Sequence, residues 1–203
     1  PKEFIAASMT MDISNQNKLS EFYEELKRLN ISVVRPDINK SYADFFSDGE
    51  NFYYALGAIK NVGYEAISNV VKERINNGNF KSITDFINRV DPKDINKLQL
   101  EGLVKAGAFD SLSENRQSLF ASIPNIILKS KNFHENKSFN QSTLFKEEIE
   151  EENFLEKIDY WNTDIKLAKE FETLGFYISD HPLNEYKSIF EQYNIINFEN
   201  FEN

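Results

Sequence analysis

The chain has 203 residues, no cysteine, two histidines and a formal charge of −10, with 23 Lys plus Arg against 33 Asp plus Glu. Lack of cysteine excludes disulfides, zinc fingers and thiol catalysis, and the acidic balance excludes a broad nucleic-acid coat while leaving room for a local phosphate site. A 40% hydrophobic content with 18 Phe is enough to bury a core, yet no apolar run reaches the roughly 18–20 residues that span a bilayer.

From the N-terminus, Pro1 suits the first turn of a helix whose apolar face opens at Phe4-Ile5-Ala6-Ala7. A start at Pro1, with no signal-peptide pattern behind it, reads as a piece of a longer chain. Ser14 is the expected N-cap of a second helix carrying Leu19, Phe22, Tyr23, Leu26 and Leu29 at helical spacing. Ile31 to Val34 is β-branched and stopped by Pro36, which predicts a brief extended segment. Asp48-Gly49, between Phe45-Phe46 and Phe52-Tyr53-Tyr54, predicts a β-hairpin.

Helical patterning then returns. Ala66, Ile67, Val70, Val71 and Ile75 form one stripe, closed by Asn77-Gly78. Ser82-Ile83-Thr84-Asp85 has the form of a capping box for a helix with Phe86, Ile87 and Val90 inward, ended by Pro92. Ile95, Leu98, Leu103 and Val104 mark a helix stopping at Gly107. Ser113 is the expected cap of the next, with Leu119, Phe120, Ile123 and Ile127 inward and a kink at Pro124. Residues 129–156 lack a sustained period and carry an acidic run from Glu147 to Glu152, which predicts a flexible linker. Trp161, Ile165, Ala168 and Leu174 mark a helix closed by Gly175. Phe176-Tyr177-Ile178 reads as extended, and His181-Pro182-Leu183 opens a last short helix. The fold class is mainly α, with one or two small β-hairpins.

Ile59-Lys60-Asn61-Val62-Gly63-Tyr64-Glu65-Ala66-Ile67 has the form of a helix-hairpin-helix. Such a turn works through backbone N–H groups: unpaired donors at the positive end of a helix dipole can hold a phosphate oxygen. Gly63 permits close approach, Val62 plugs the space between helices, and Asn61 stands where the Gly-apolar-Gly form has its first glycine. Asn tolerates positive φ better than most residues. A second, weaker copy runs from Leu103 to Asp110, with Lys105, Ala106 and Gly107 at its bend. Both copies place a Lys shortly before a Gly, a tandem suited to gripping duplex phosphates without reading bases. Lys72, Arg74, Lys81, Lys93, Lys97 and Arg116 would supply a basic face. The simpler alternative is that both glycines only cap helices.

Gln141-Ser142-Thr143-Leu144-Phe145 sets two large apolar residues in a polar stretch. An exposed Leu-Phe pair calls for a partner that buries it, and two such side chains can supply on the order of 3–6 kcal/mol before ordering costs. Other chemistry is thinly supported. The Glu147 to Glu152 run lacks the punctuation of a metal loop, His181 has no matching nucleophile, Asp37 and Asn39 read as a turn, and no glycine-rich nucleotide loop is present.

Several blocks together resemble the C-family of bacterial replicative DNA polymerases: Pro1 to Ala7, Arg35 to Asn39 with Ser41 and Phe45, Tyr54 to Gly63, Leu103 to Asp110, and Glu172 to Leu183. The resemblance covers nearly the whole chain. It implies that residues 1–54 end the fingers domain, and that 55–190 form the tandem helix-hairpin-helix and clamp-binding domain. Residues 191–203 would lead toward an oligonucleotide-binding domain. It further implies that Gln141, Leu144 and Phe145 are the peptide that docks on the sliding clamp. The implied partners are duplex DNA, that clamp and the other holoenzyme subunits, in the cytoplasm at the nucleoid. The catalytic carboxylates would lie upstream of Pro1, so no catalytic or metal residue and no cofactor is expected here, the parent polymerase using Mg2+. A helix-hairpin-helix module of a repair ligase or nuclease, or a structural helical scaffold, would explain fewer of these blocks.

Overall fold

The computed structural model describes residues 1–138 and 154–193. Two N-terminal helices, α1 (Lys2–Met11) and α2 (Gln16–Arg28), lead into a short sheet of β1 (Val33–Val34), β2 (Phe46–Ser47) and β3 (Phe52–Tyr53). The expected hairpin is the β2–β3 pair, antiparallel with Phe46 opposite Tyr53. The extended segment at β1 joins it as a parallel neighbour, Val33 opposite Phe52, giving the order β1-β3-β2. A local reading cannot supply that third strand, because its pairing is long-range.

Five helices follow the sheet: α3 (Tyr64–Asn77), α4 (Ile83–Arg89), α5 (Lys97–Lys105), α6 (Arg116–Ala121) and α7 (Ile123–Ser138). After the undescribed stretch come α8 (Thr163–Leu174), a 3-10 turn at Pro182–Tyr186 and α9 (Lys187–Gln192). His181 opens that turn, its Nδ1 accepting from the Leu183 N–H at 3.2 Å. Residues 176–178 are irregular rather than strand.

Several helix starts and faces differ from the periodicity. The caps are Asn15 rather than Ser14 and Asn115 rather than Ser113, each carboxamide accepting an N–H three residues on (Lys18 and Ser118). Ile75, Leu98 and Ile165 face solvent and Ala168 is exposed, while Arg74, Leu100, Leu167 and Glu170 point inward. Pro124 kinks nothing. Helix α6 ends first, and Pro124 sits in the opening turn of α7, where its missing N–H costs no hydrogen bond.

The expected flexible linker over 129–156 is ordered at both described ends. Residues 129–138 continue α7, whose buried Ser130 donates to the Ile87 carbonyl on α4. At the far end Phe154 is buried under the Lys129 ammonium, the Glu156 N–H donates to Ser122 Oγ at 2.7 Å, and Ser118 Oγ donates to the Glu156 carbonyl. Gln141, Leu144, Phe145 and the Glu147 to Glu152 run lie outside the described residues.

One buried cluster runs from Ile5 to Phe176 and crosses the 54/55 boundary without a break. Its most deeply buried members include Phe52, Tyr54 and Leu56 from the sheet and the turn after it, with Leu26, Ile38 and Leu174. The loop before β2 is fixed by polar bonds. Asp37 Oδ1 accepts the Asn39 N–H in the expected Asx turn, Asn39 pairs both ways with the Phe80 backbone, and the Arg74 guanidinium donates to the Ile38 and Ser41 carbonyls. Among the described residues no helix is long and apolar enough to cross a membrane.

Candidate nucleic-acid interface

The first hairpin is short and open. A 3-10 turn at Leu56–Ala58 enters a bend closed by the Val62 N–H donating to the Ile59 carbonyl at 3.0 Å. Asn61 lies in the left-handed region at φ +67°, the conformation that a glycine would otherwise supply. Val62 is buried, so the bend is plugged from below as its apolar character predicts. Lys60, Asn61 and Gly63 are exposed on the outer side, and the Lys60 ammonium makes no ion pair among the described residues.

Gly63 opens α3, and the helix has no side-chain N-cap. The Asn61 and Gly63 amides have no acceptor among the described residues. Amides without an acceptor, a lysine without an ion pair and the start of a helix therefore fall within the four residues from Lys60 to Gly63, three of them exposed, and these are the groups that can hold a phosphate. Glu65 in the first turn of α3 limits how attractive that spot is to an anion.

Two neighbours position this bend. The Lys60 N–H donates to the Thr173 carbonyl, in the last turn of α8, at 3.1 Å. Helix α5 presses against the bend from the other side. A Cβ at Gly102 would stand 2.6 Å from the Lys60 carbonyl oxygen, and one at Gly63 would stand 3.2 Å from Gln99 Nε2. Gln99 is itself held by a capping box with Asn96. Gly63 lets the bend pack closely against Gln99, where a Cβ would be a tight contact, and its backbone angle makes no demand for glycine, since its φ is an ordinary −70°.

The second bend has the same residue types and a different geometry. Gly107 (φ +80°) terminates α5 in a Schellman cap: its own N–H donates to the Val104 carbonyl at 3.0 Å, and the Ala108 N–H donates to Leu103 at 2.9 Å. The Ala106 N–H is taken by the Gly102 carbonyl, and Ala106 and Ala108 are buried. Lys105 is nearly enclosed, its ammonium 2.8 Å from Glu172 Oε1 and above the Phe120 ring. Lys105, Ala106 and Gly107 therefore offer no free amide and no free cation. The geometry at these three residues lends the phosphate expectation no support, and the helix-cap alternative describes the backbone of this glycine.

The expected basic face loses its two arginines. Arg74 is buried against the loop before β2, and desolvation draws its pKa down from the usual guanidinium value. Arg116 is buried beside the second bend, bound through Nε and Nη2 to the Asp110 carboxylate at 2.7 and 2.6 Å. Its Nη1 donates to the Lys105 carbonyl and lies 3.7 Å from Glu170 Oε2. Glu170 is fully buried, and its Oε1 accepts the Ile178 and Ser179 N–H groups at 2.7 and 2.8 Å. Lys72, Lys81, Lys93 and Lys97 are exposed. Among the described residues no group of three or more acidic or histidine side chains is arranged to hold a metal.

Sequence reasoning missed Gln99, Gly102 and Thr173 as supports of the first bend, and Arg116 and Glu170, with half-buried Asp110, as an ionic group. Only the Asn96-x-x-Gln99 capping pattern was visible locally. The rest are contacts between helices far apart in the chain.

Residues 30–119 match a family model described as a helix-hairpin-helix motif. The chain is 40% identical, over 91% of its length, to DNA polymerase III subunit alpha of Caulobacter vibrioides (strain NA1000 / CB15N). It is 37% identical over 97% of its length to the protein of that name from Borreliella burgdorferi, and 38% identical over 98% to that from Campylobacter jejuni. It spans 16–18% of the length of these three relatives.

Proposed function

We propose that this chain, homologous over nearly its whole length to one segment of DNA polymerase III subunit alpha, holds duplex DNA by its sugar-phosphate backbone and tethers the polymerase to the sliding clamp. The observation that carries the DNA half is the first bend, where unshared amides at Asn61 and Gly63, the uncapped start of α3 and the free Lys60 converge. A grip of this kind touches phosphates and no base edges, so it is indifferent to sequence and sensitive to salt. With one open bend rather than two, only one or two phosphates are neutralised. Affinity for duplex by this segment alone is therefore weak, and the logarithm of the binding constant falls with that of salt at a slope of roughly −1 to −2.

The clamp half rests on the Gln141-x-x-Leu144-Phe145 pattern and its place between α7 and α8. In this reading the parent is a DNA-directed DNA polymerase that adds deoxynucleotides to a primer with Mg2+ bound elsewhere in the protein. It works with the other polymerase III holoenzyme subunits at the nucleoid in the cytoplasm. Holding duplex behind the growing end and a ring around it supports processive synthesis, because two weak attachments on one DNA raise each other's effective concentration.

The test is duplex binding by the 203-residue chain and its Gly63→Glu variant, read by fluorescence anisotropy at several salt concentrations. A carboxylate placed among the outward amides is expected to lower affinity at least about tenfold at low salt. Equal affinity of the two proteins refutes the bend as the DNA contact. For the clamp, capture on a bacterial sliding clamp should be lost in the Gln141→Ala/Leu144→Ala/Phe145→Ala variant, and capture unchanged by these substitutions refutes the tether.

A further inference from the structure

We infer that Arg116 and Glu170 are positioning residues for the first bend, so that the second hairpin serves as the anchor of the first rather than as another DNA grip. The inference deepens the proposed function and rests on its placing duplex at the Lys60 to Gly63 bend. Its basis is a series of polar contacts that meet on α8, one of them the 3.7 Å ion pair of Arg116 with Glu170 Oε2, an oxygen that accepts no hydrogen bond among the described residues.

The path begins where Gly107 leaves room. A Cβ there would meet Arg116 Nη2 at 2.0 Å, so the missing side chain is what admits the guanidinium. Arg116 binds Asp110 through two hydrogen bonds and faces Glu170, which projects from α8. Glu170 fastens the chain leaving α8 by accepting the Ile178 and Ser179 amides. A second tie, Lys105 to Glu172, joins α5 to α8 two residues further along that helix. Together they fix the end of α8, where the Thr173 carbonyl takes the Lys60 N–H. Gln16 Nε2 holds the same helix end from the α2 side, donating to the Leu174 carbonyl at 2.6 Å.

What this accomplishes follows from the chemistry of the bend. A phosphate held by backbone amides needs those amides aimed in advance, since no long side chain can adjust. Asn61 sits in a conformation that L residues rarely choose, so the bend depends on outside support to hold it. Fastening the Lys60 peptide to α8 and pressing its carbonyl against Gly102 provides that support from two sides.

The test is Glu170→Gln in the 203-residue chain. Glutamine keeps an oxygen for the Ile178 and Ser179 amides and removes only the charge facing Arg116. The expected result is faster hydrogen exchange at the Lys60 amide, with the Phe86 amide in α4 unchanged, and duplex affinity lower by about three- to tenfold. The salt slope should stay constant, because no phosphate contact is removed. Gln16→Leu, which loosens the same helix end without touching a buried charge, should act in the same direction and covers the case in which Glu170→Gln fails to fold. Unchanged Lys60 exchange in both variants, or a salt slope that falls by about one, overturns the inference. Faster Lys60 exchange alongside a Gly63→Glu variant that binds duplex normally supports the anchoring and refutes the DNA reading instead.

Discussion

Gly107→Ala should cost this protein far more than Gly49→Ala, although both glycines have positive φ, +80° and +92°. The backbone penalty for an L residue in that region is about 1–2 kcal/mol at either site, offset by about 0.4–1 kcal/mol from the stiffer unfolded chain. At Gly49, in the tip of the β2–β3 hairpin, nothing lies within 4 Å of the new methyl group, so the cost ends near 1 kcal/mol. At Gly107 the methyl would stand 2.0 Å from Arg116 Nη2 and 3.0 Å from Asp110 Oδ2. The guanidinium has to move off its site, leaving Glu170, which has no exposed surface, with the Ile178 and Ser179 amides on Oε1 but without Arg116 as countercharge, and leaving Asp110, which is 39% exposed, unpaired. Breaking a buried pair one-sidedly costs about 3–5 kcal/mol, and water reaching Asp110 favours the lower end. The expected difference between the variants is therefore about 3 kcal/mol, a large part of the stability of a domain this size. Urea unfolding followed by circular dichroism measures it, provided the m-value is common to both. Midpoints corresponding to within about 1 kcal/mol of each other would refute the claim that Gly107 is kept for the guanidinium rather than for the turn.

Other expectations are simpler to check. Arg74→Met leaves the Ile38 and Ser41 carbonyls without their donor and should lower stability by about 1–3 kcal/mol, read by thermal unfolding. Asn61→Gly relieves the left-handed residue and should raise stability by under about 1 kcal/mol with duplex affinity kept, whereas Asn61→Val should lose both. The Asp48 carboxylate accepts from the Asn51 N–H and the Tyr53 hydroxyl, which pull its pKa down to about 2. Because the folded value lies below the unfolded one of about 3.9, that stabilisation is complete above pH 4 and is lost as pH falls toward 2. Carbon-13 titration of the Asp48 carboxyl should show the depressed midpoint, and an ordinary midpoint near 4 contradicts the hairpin-tip geometry.

The parts of the molecule legible in the sequence are those fixed by neighbours in the chain. Asp48-Gly49 predicted its hairpin, Ser82 its cap and Gly175 its helix end, because each device works over three or four residues. At the first bend, Asn61 standing in a glycine-like role was readable for the same reason. What the pattern could not show was which of two similar bends faces water. Lys60 and Lys105 look alike in one dimension, and only the packing of α8 leaves one free and pairs the other with Glu172. Arg74 and Arg116 were misplaced on a basic surface because charge alone predicts exposure, while the carbonyls and carboxylates that pay for their burial lie on other elements. Ile75 and Leu98 went the opposite way, continuing an apolar stripe past the point where a neighbouring helix covers it.

The bond from the Lys60 amide to the Thr173 carbonyl also sets an order of events during synthesis. A ribosome releases the residues of the bend long before it makes the helix that finishes it. Until α8 emerges and docks, the nascent chain carries this turn without its acceptor. The bend gains its acceptor only once translation has passed α8, so a product terminated before that helix carries the Lys60 turn without the Thr173 carbonyl that ties it down.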